Sequence, residues 1–131
     1  MLIYLDTAPL IYLIEAVEPY ASRLILRLSA PKTFQTCSHL TRLECRVKPL
    51  RDGETALLAA FDAYFTKIMT SIIPLSAQVI DQATDLRAHY GFKTPDALHL
   101  AAAITAKCDL FLTNDHHLER CQEMRVEILK R

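Results

Sequence analysis

Four carboxylates occupy places where acids can do chemistry. Asp6 directly follows the short apolar run Leu2-Ile3-Tyr4-Leu5, and Asp115 lies three residues past Leu110-Phe111-Leu112. Asp96 opens a strongly apolar stretch that contains Ala97, Leu98, Ala101, Ala102 and Ile104, and Glu44 lies between Leu43 and Cys45. Each has an ordinary explanation. Asp6, Asp96 and Asp115 sit where a carboxylate caps a helix or favours the positive end of its dipole. Glu44, placed mid-helix, has Arg42, Arg46 and Lys48 as available partners. Jointly they allow something else. Two like charges about 4 Å apart repel by about 4 kcal/mol at an effective dielectric near 20. Four convergent carboxylates therefore require protonation or a neutralising ion, and oxygen-only donors select Mg²⁺ or Mn²⁺. Ions held in this way activate water and steady the leaving oxygen in phosphodiester hydrolysis.

The elements that would position these acids alternate short β-rich runs with longer helical ones. Residues 2–5 read as a strand buried on both faces. Thr7 can cap a helix with Pro9 in its first turn, running to about Glu15. Pro19 opens a second helix that closes before Pro31, and residues 33–37 read as a strand. Ser38 can cap a third helix through Leu43, Glu44 and Val47, ending near Pro49. A fourth helix begins at Asp52 or Gly53, with Leu57, Phe61, Tyr64, Phe65 and Ile68 on one face of a 3.6-residue repeat.

Residues 71–75 form a third strand, with Pro74 pointing to an edge position. Ser76 caps a helix with Val79, Ile80, Ala83, Leu86 and Tyr90 inward, and Gly91 sits where a left-handed terminating residue belongs. A helix from Asp96 to about Lys107 is apolar on most sides, hence central. Leu110–Leu112, a short helix from Asp115 to Cys121, and residues 126–129 as a last strand complete the chain. Strands separated by helices imply parallel crossovers and one α/β domain over 1–131, with a parallel sheet of about five strands flanked by helices. In such sheets ligands bind beyond the carboxyl ends of the strands, where strand order reverses. Asp6 and Asp115 follow strand ends of that kind.

Composition narrows the remaining classes. The 131 residues are 51% hydrophobic and 23% charged, which suits one globular domain. Gly53 and Gly91 are the only glycines, so no Gly-rich phosphate loop exists. No apolar run approaches the roughly 18–20 residues of a membrane span, and the N-terminus lacks the basic flank of a signal peptide. Cys37, Cys45, Cys108 and Cys121 form no C-x-x-C pair, which favours reduced, mostly buried thiols in a cytoplasmic protein. Charge balances overall, with 15 basic and 15 acidic residues. Locally it does not: between Arg23 and Arg51 stand seven bases and a single acid, Glu44. Arg42 and Arg46 flank Glu44 on one helix face. They could face phosphates or neutralise Glu44. His39 and His99 read as core or groove-lining residues, and His116-His117 as a surface pair.

Four stretches then carry a resemblance: Ile3-Tyr4-Leu5-Asp6-Thr7 with Leu10-Ile11-Tyr12-Leu13-Ile14, Ser38-His39-Leu40-Thr41-Arg42-Leu43-Glu44, Asp96-Ala97-Leu98-His99-Leu100-Ala101, and Leu112-Thr113-Asn114-Asp115 with Leu118. In order, spacing and total length the chain resembles a PIN-domain ribonuclease, and most closely the toxin subunit of VapBC-type toxin–antitoxin pairs. The resemblance implies that Asp6, Asp96 and Asp115 hold Mg²⁺ or Mn²⁺. Glu44 would complete the acidic pocket, bind a second metal or orient water. Thr113, Asn114 and Thr7 would brace the acids by hydrogen bonds.

The implied reaction is endonucleolytic hydrolysis of RNA that leaves a 5′-phosphate and a 3′-hydroxyl. The implied partners are an antitoxin protein and a second copy of the chain in a homodimer. Ala8 and Leu118 depart from the Asn or Ser and the Phe common in the family, and neither removes a carboxylate. Two other readings are weaker. A phosphatase of haloacid-dehalogenase type also opens with a strand ending in Asp, but needs a second Asp where Ala8 stands. A non-catalytic PIN-like binding module would be expected to have lost acids that this chain keeps.

Overall fold

The computed structural model describes residues 1–130. Five parallel strands, β1 (Leu2–Leu5), β2 (Phe34–Ser38), β3 (Ile72–Ile73), β4 (Leu110–Thr113) and β5 (Val126–Ile128), form a sheet in the order β3-β2-β1-β4-β5. Six helices connect them: α1 (Thr7–Ile14), α2 (Tyr20–Leu28), α3 (His39–Arg51), α4 (Thr55–Lys67), α5 (Ala77–Tyr90) and α6 (Thr94–Thr105). A short 3-10 helix spans His116–Arg120. This is the expected α/β architecture. The chain runs outward from β1 to β3, then returns to place β4 on the other side of β1. The reversal of strand order therefore lies between β1 and β4, and Asp6 and Asp115 stand at that end of the sheet.

Alternation along the strands divides the core in two. Tyr4 and Phe111 stack, with ring centroids 5.1 Å apart, on the face covered by α5 and α6. Ile3, Leu5, Leu110 and Leu112 face the opposite layer, against Leu10, Leu24, Phe61 and Phe65. Burial of the sheet on both sides explains why β1 and β4 read as continuous apolar runs. Helix α6 is the central one expected, with Ala97, His99 and Leu100 through Ala103 all buried. Gly91 ends α5 at φ 71°, and its N–H donates to the Arg87 carbonyl.

Several local expectations are corrected. Asp6, not Thr7, is the N-cap of α1: its carboxylate accepts from Thr7 N. Helix α3 passes through Pro49 to Arg51, since a proline removes only one backbone donor near a helix end. Helix α4 begins at Thr55, and β3 shrinks to two residues at the sheet edge. Ile80 is exposed rather than inward. All four cysteines are free, and burial pushes the Cys37 thiol up to about 12. Among the described residues no helix is long and apolar enough to cross a membrane.

Candidate acidic site at the strand ends

The register of β1 on β4 builds the site. Leu5 pairs with Leu112, so Asp6 comes level with Thr113, and Asp6 N donates to the Leu112 carbonyl at 3.0 Å. Thr113 is fully buried and bridges two acids. Its hydroxyl donates to Asp6 Oδ2 at 2.7 Å and accepts from Asp115 N at 3.1 Å. Asp6 Oδ1 accepts from Thr7 N at 2.8 Å. Asp115 Oδ1 accepts from the backbone of His117 at 2.9 Å and faces its Nδ1 at 3.0 Å. Asn114 points elsewhere, donating to the Tyr12 hydroxyl at 3.0 Å and so bracing α1.

Glu44 approaches from α3. Its Oε1 accepts from the Thr7 hydroxyl at 2.8 Å and lies 2.6 Å from His99 Nε2. The same nitrogen is 3.7 Å from Asp6 Oδ1. Burial works to raise the Glu44 carboxyl, but the hydrogen bonds from His99 and Thr7, with the His99 charge, outweigh it and hold the group below the usual carboxylate range. Asp96 shifts the other way. Burial, then the negative charges of Asp115 and Asp6, raise its carboxyl against weaker opposition from His99 and Lys93. Asp96 is thus within electrostatic reach of both other aspartates, and the four acids gather at one end of the sheet.

Arg42 and Arg46 share a helix face, as expected, but that face is turned to α4. Arg46 Nε donates to Asp62 Oδ1 at 2.8 Å, Arg42 Nη1 is 4.0 Å from the same oxygen, and Arg42 stands over the Phe65 ring. Neither neutralises Glu44. The residues that sequence reading undervalued are His99 and Tyr4. His99 is 2% exposed, and its Nδ1 lies 2.7 Å from the hydroxyl of the fully buried Tyr4. A histidine within a run of alanines and leucines was the available signal, and its partners could not be read from spacing.

The donor set suits a hard cation. The Asp96 carboxylate, Asp115 Oδ2 and Glu44 Oε2 make no hydrogen bond to protein among the described residues. His99 and His117 are the only charged or chargeable side chains within ion-pair distance of the four acids there. No three of the described His, Cys, Asp or Glu side chains are already assembled as a metal cage. The oxygen donors and the uncompensated charge fit a divalent ion by chemistry.

Residues 3–123 match the family model for the PIN domain. The chain belongs to the PIN-domain family. Membership sets aside the dehalogenase-type alternative. No curated protein matches the chain significantly. Among solved structures, the PIN fold here is similar to VapBC2 from Rickettsia felis bound to a DNA fragment from its promoter, at 18% identity and TM-score 0.79, covering 99% of this chain and 100% of that one. It is similar to DNA-bound VapBC from Salmonella typhimurium, at 19% identity and TM-score 0.71, covering 99% and 100%. It is also similar to VapC20 of Mycobacterium tuberculosis, described as a toxin that cleaves the sarcin-ricin loop, at 15% identity and TM-score 0.70, covering 94% and 98%. At these identities the likeness establishes the fold.

Proposed function

We propose that this PIN domain is an endoribonuclease dependent on Mg²⁺ or Mn²⁺, and the toxin of a toxin–antitoxin pair. The observation that carries the reading is the set of four carboxylates at the β1–β4 reversal with no lysine or arginine ion-paired to them among the described residues. In this reading Asp6, Asp96 and Asp115 would hold the ion, which would offset their charge and supply the acidification of a water molecule. Thr113 fixes the spacing of Asp6 and Asp115 through one hydroxyl. Glu44 stays ionised, because its carboxyl is held low. It therefore orients the attacking water by accepting a hydrogen bond at Oε2, rather than serving as a strong base. Attack at phosphorus with departure of the 3′ oxygen leaves a 5′-phosphate and a 3′-hydroxyl.

The toxin assignment is supported by structural neighbours that are toxins of such pairs. It brings with it a cognate antitoxin that covers the acidic groove, and a homodimer. The test is cleavage of RNA with Mg²⁺ or Mn²⁺, with and without chelator, by the wild type and Asp96→Asn. Chelator and substitution should each abolish cleavage. Cleavage that survives both overturns the mechanism, and a wild type that binds RNA but never cuts it is a binding module instead.

A further inference from the structure

Beside the carboxylates lies a cavity of about 280 Å³ that the proposed reaction does not yet use. Asp96 and Asp115 line it together with Phe92, Lys93, His117 and Arg120. His117 pairs with Asp115 at 3.0 Å, but neither Lys93 nor Arg120 has a carboxylate within ion-pair distance among the described residues.

Both are set on fixed supports. Phe92 is 3% exposed and stacks on Tyr90, and its carbonyl accepts from Arg87 Nε at 3.0 Å. The residue before Lys93 is therefore tied to the end of α5 by two contacts. The Arg120 guanidinium lies over the Phe92 ring, 4.8 Å from its centroid. Its Nε donates to the His117 carbonyl at 3.2 Å, and its Nη1 to the Tyr90 carbonyl at 3.0 Å. A guanidinium has five N–H donors, so three remain without a protein partner among the described residues. A guanidinium centred over an aromatic ring, with N–H donors left over, is arranged to receive an oxyanion. Such a partner at exposed residues is poorly supplied by one free anion in water. A polyanion already anchored at the neighbouring acids supplies it at high effective concentration.

We propose that Lys93 and Arg120 form a phosphate subsite, which holds the RNA backbone phosphate next along the strand from the one being cleaved. This deepens the nuclease reading and rests on it. The subsite sets the direction in which the strand crosses the acids. It also places one anion where the protein's own positive charge, and not the metal, receives it.

The test is binding of a fluorescent single-stranded RNA oligonucleotide in Ca²⁺ across a salt series, together with steady-state cleavage in Mn²⁺. Lys93→Ala is the cleaner variant, since the Lys93 side chain makes no hydrogen bond among the described residues. Arg120→Ala and the double variant follow, with their unfolding checked. Lys67→Ala, at the end of α4, is the charge-matched control. Each lost contact should lower the slope of log K against log salt by about 0.7. KM should rise several-fold with kcat retained, and Lys67→Ala should match the wild type. A slope in Lys93→Ala and the double variant equal to that of Lys67→Ala overturns the subsite, as does a wild type that binds no RNA. A wild type that shows the predicted slopes but cuts nothing in Mn²⁺ supports the subsite while overturning the nuclease reading. A slope that falls for a protein partner and not for RNA assigns the cavity to that partner and overturns the proposal.

Discussion

His99 Nε2 lies 2.6 Å from Glu44 Oε1. An ionised carboxylate only accepts hydrogen bonds, so this contact places a proton on Nε2. The ring is locked at its other end, where Nδ1 meets the Tyr4 hydroxyl at 2.7 Å. A rigid link therefore runs from the sheet core to the acidic site, and the position of Glu44 is inherited from Tyr4.

Replacing His99 by alanine removes one hydrogen bond from the Tyr4 hydroxyl, which keeps Ser38, and one from Glu44 Oε1, which keeps Thr7. A lost hydrogen bond costs about 0.5–1.5 kcal/mol, and about 1.5–3 kcal/mol where one partner is charged. His99→Ala should lower stability by at least that much in urea unfolding. It should also lower kcat for RNA cleavage more than tenfold while KM changes little, because Glu44 is misplaced and the RNA contacts are not. An unchanged kcat would show that the link is structural only.

Tyr4→Phe removes the hydroxyl and keeps the stack on Phe111. Tyr4 meets Ser38 Oγ at 2.9 Å as well as His99, so loss of the hydroxyl should destabilise by about 1–3 kcal/mol. Combined with His99→Ala, the double variant should lose less than the sum, since neighbours in one network couple. Strict additivity in the double-mutant cycle would contradict the link.

Asp96 is predicted to cost the fold stability near neutral pH. Burial and the charges of Asp115 and Asp6 raise its carboxyl above the unfolded value of 3.8. The folded chain therefore binds the proton more tightly than the unfolded chain, and stability falls as pH rises from 3.8 through the raised value. Asp96→Asn should unfold at a higher temperature than the wild type at pH 7, and the gain should vanish below the ordinary aspartate range. Glu44 has the opposite sign. Its lowered carboxyl contributes stability above the unfolded value that is lost as pH falls through the folded one, so Glu44→Gln should flatten acid unfolding. Thermal melts across pH check both, and a lower melting temperature for Asp96→Asn at pH 7 would refute the first.

Arg46 and Asp62 are each about a third exposed, at 32% and 38%. Pairs this wet are worth about 0.2–1 kcal/mol. A double-mutant cycle on Arg46→Ala and Asp62→Ala should return a coupling in that range. A coupling near zero would show that Asp62 leaves the guanidiniums free for another partner.

Much of this was legible beforehand where one physical signal dominated. Continuous apolar runs marked β1 and β4, and capping serine and left-handed glycine marked the ends of α5 at Ser76 and Gly91. The acids at strand ends were legible because chain direction and sheet order decide where strands end. Side-chain direction was not. Arg42 and Arg46 were correctly placed on one face, but which neighbour that face meets depends on the packing of α3 against α4, which spacing does not encode. Asp6 displaced Thr7 as the cap because Thr7 had a stronger partner in Glu44, 37 residues away. His99 looked like core because it is core, and its role depends on partners at positions 4 and 44.

The central claim is that these four carboxylates form a pocket that a divalent ion neutralises, and direct Mn²⁺ binding measures it. Calorimetric titration of the wild type, with Asp6→Asn and Asp96→Asn alongside, should show binding that either substitution weakens at least tenfold. Failure of the wild type to bind Mn²⁺, or equal binding by all three proteins, would contradict the account.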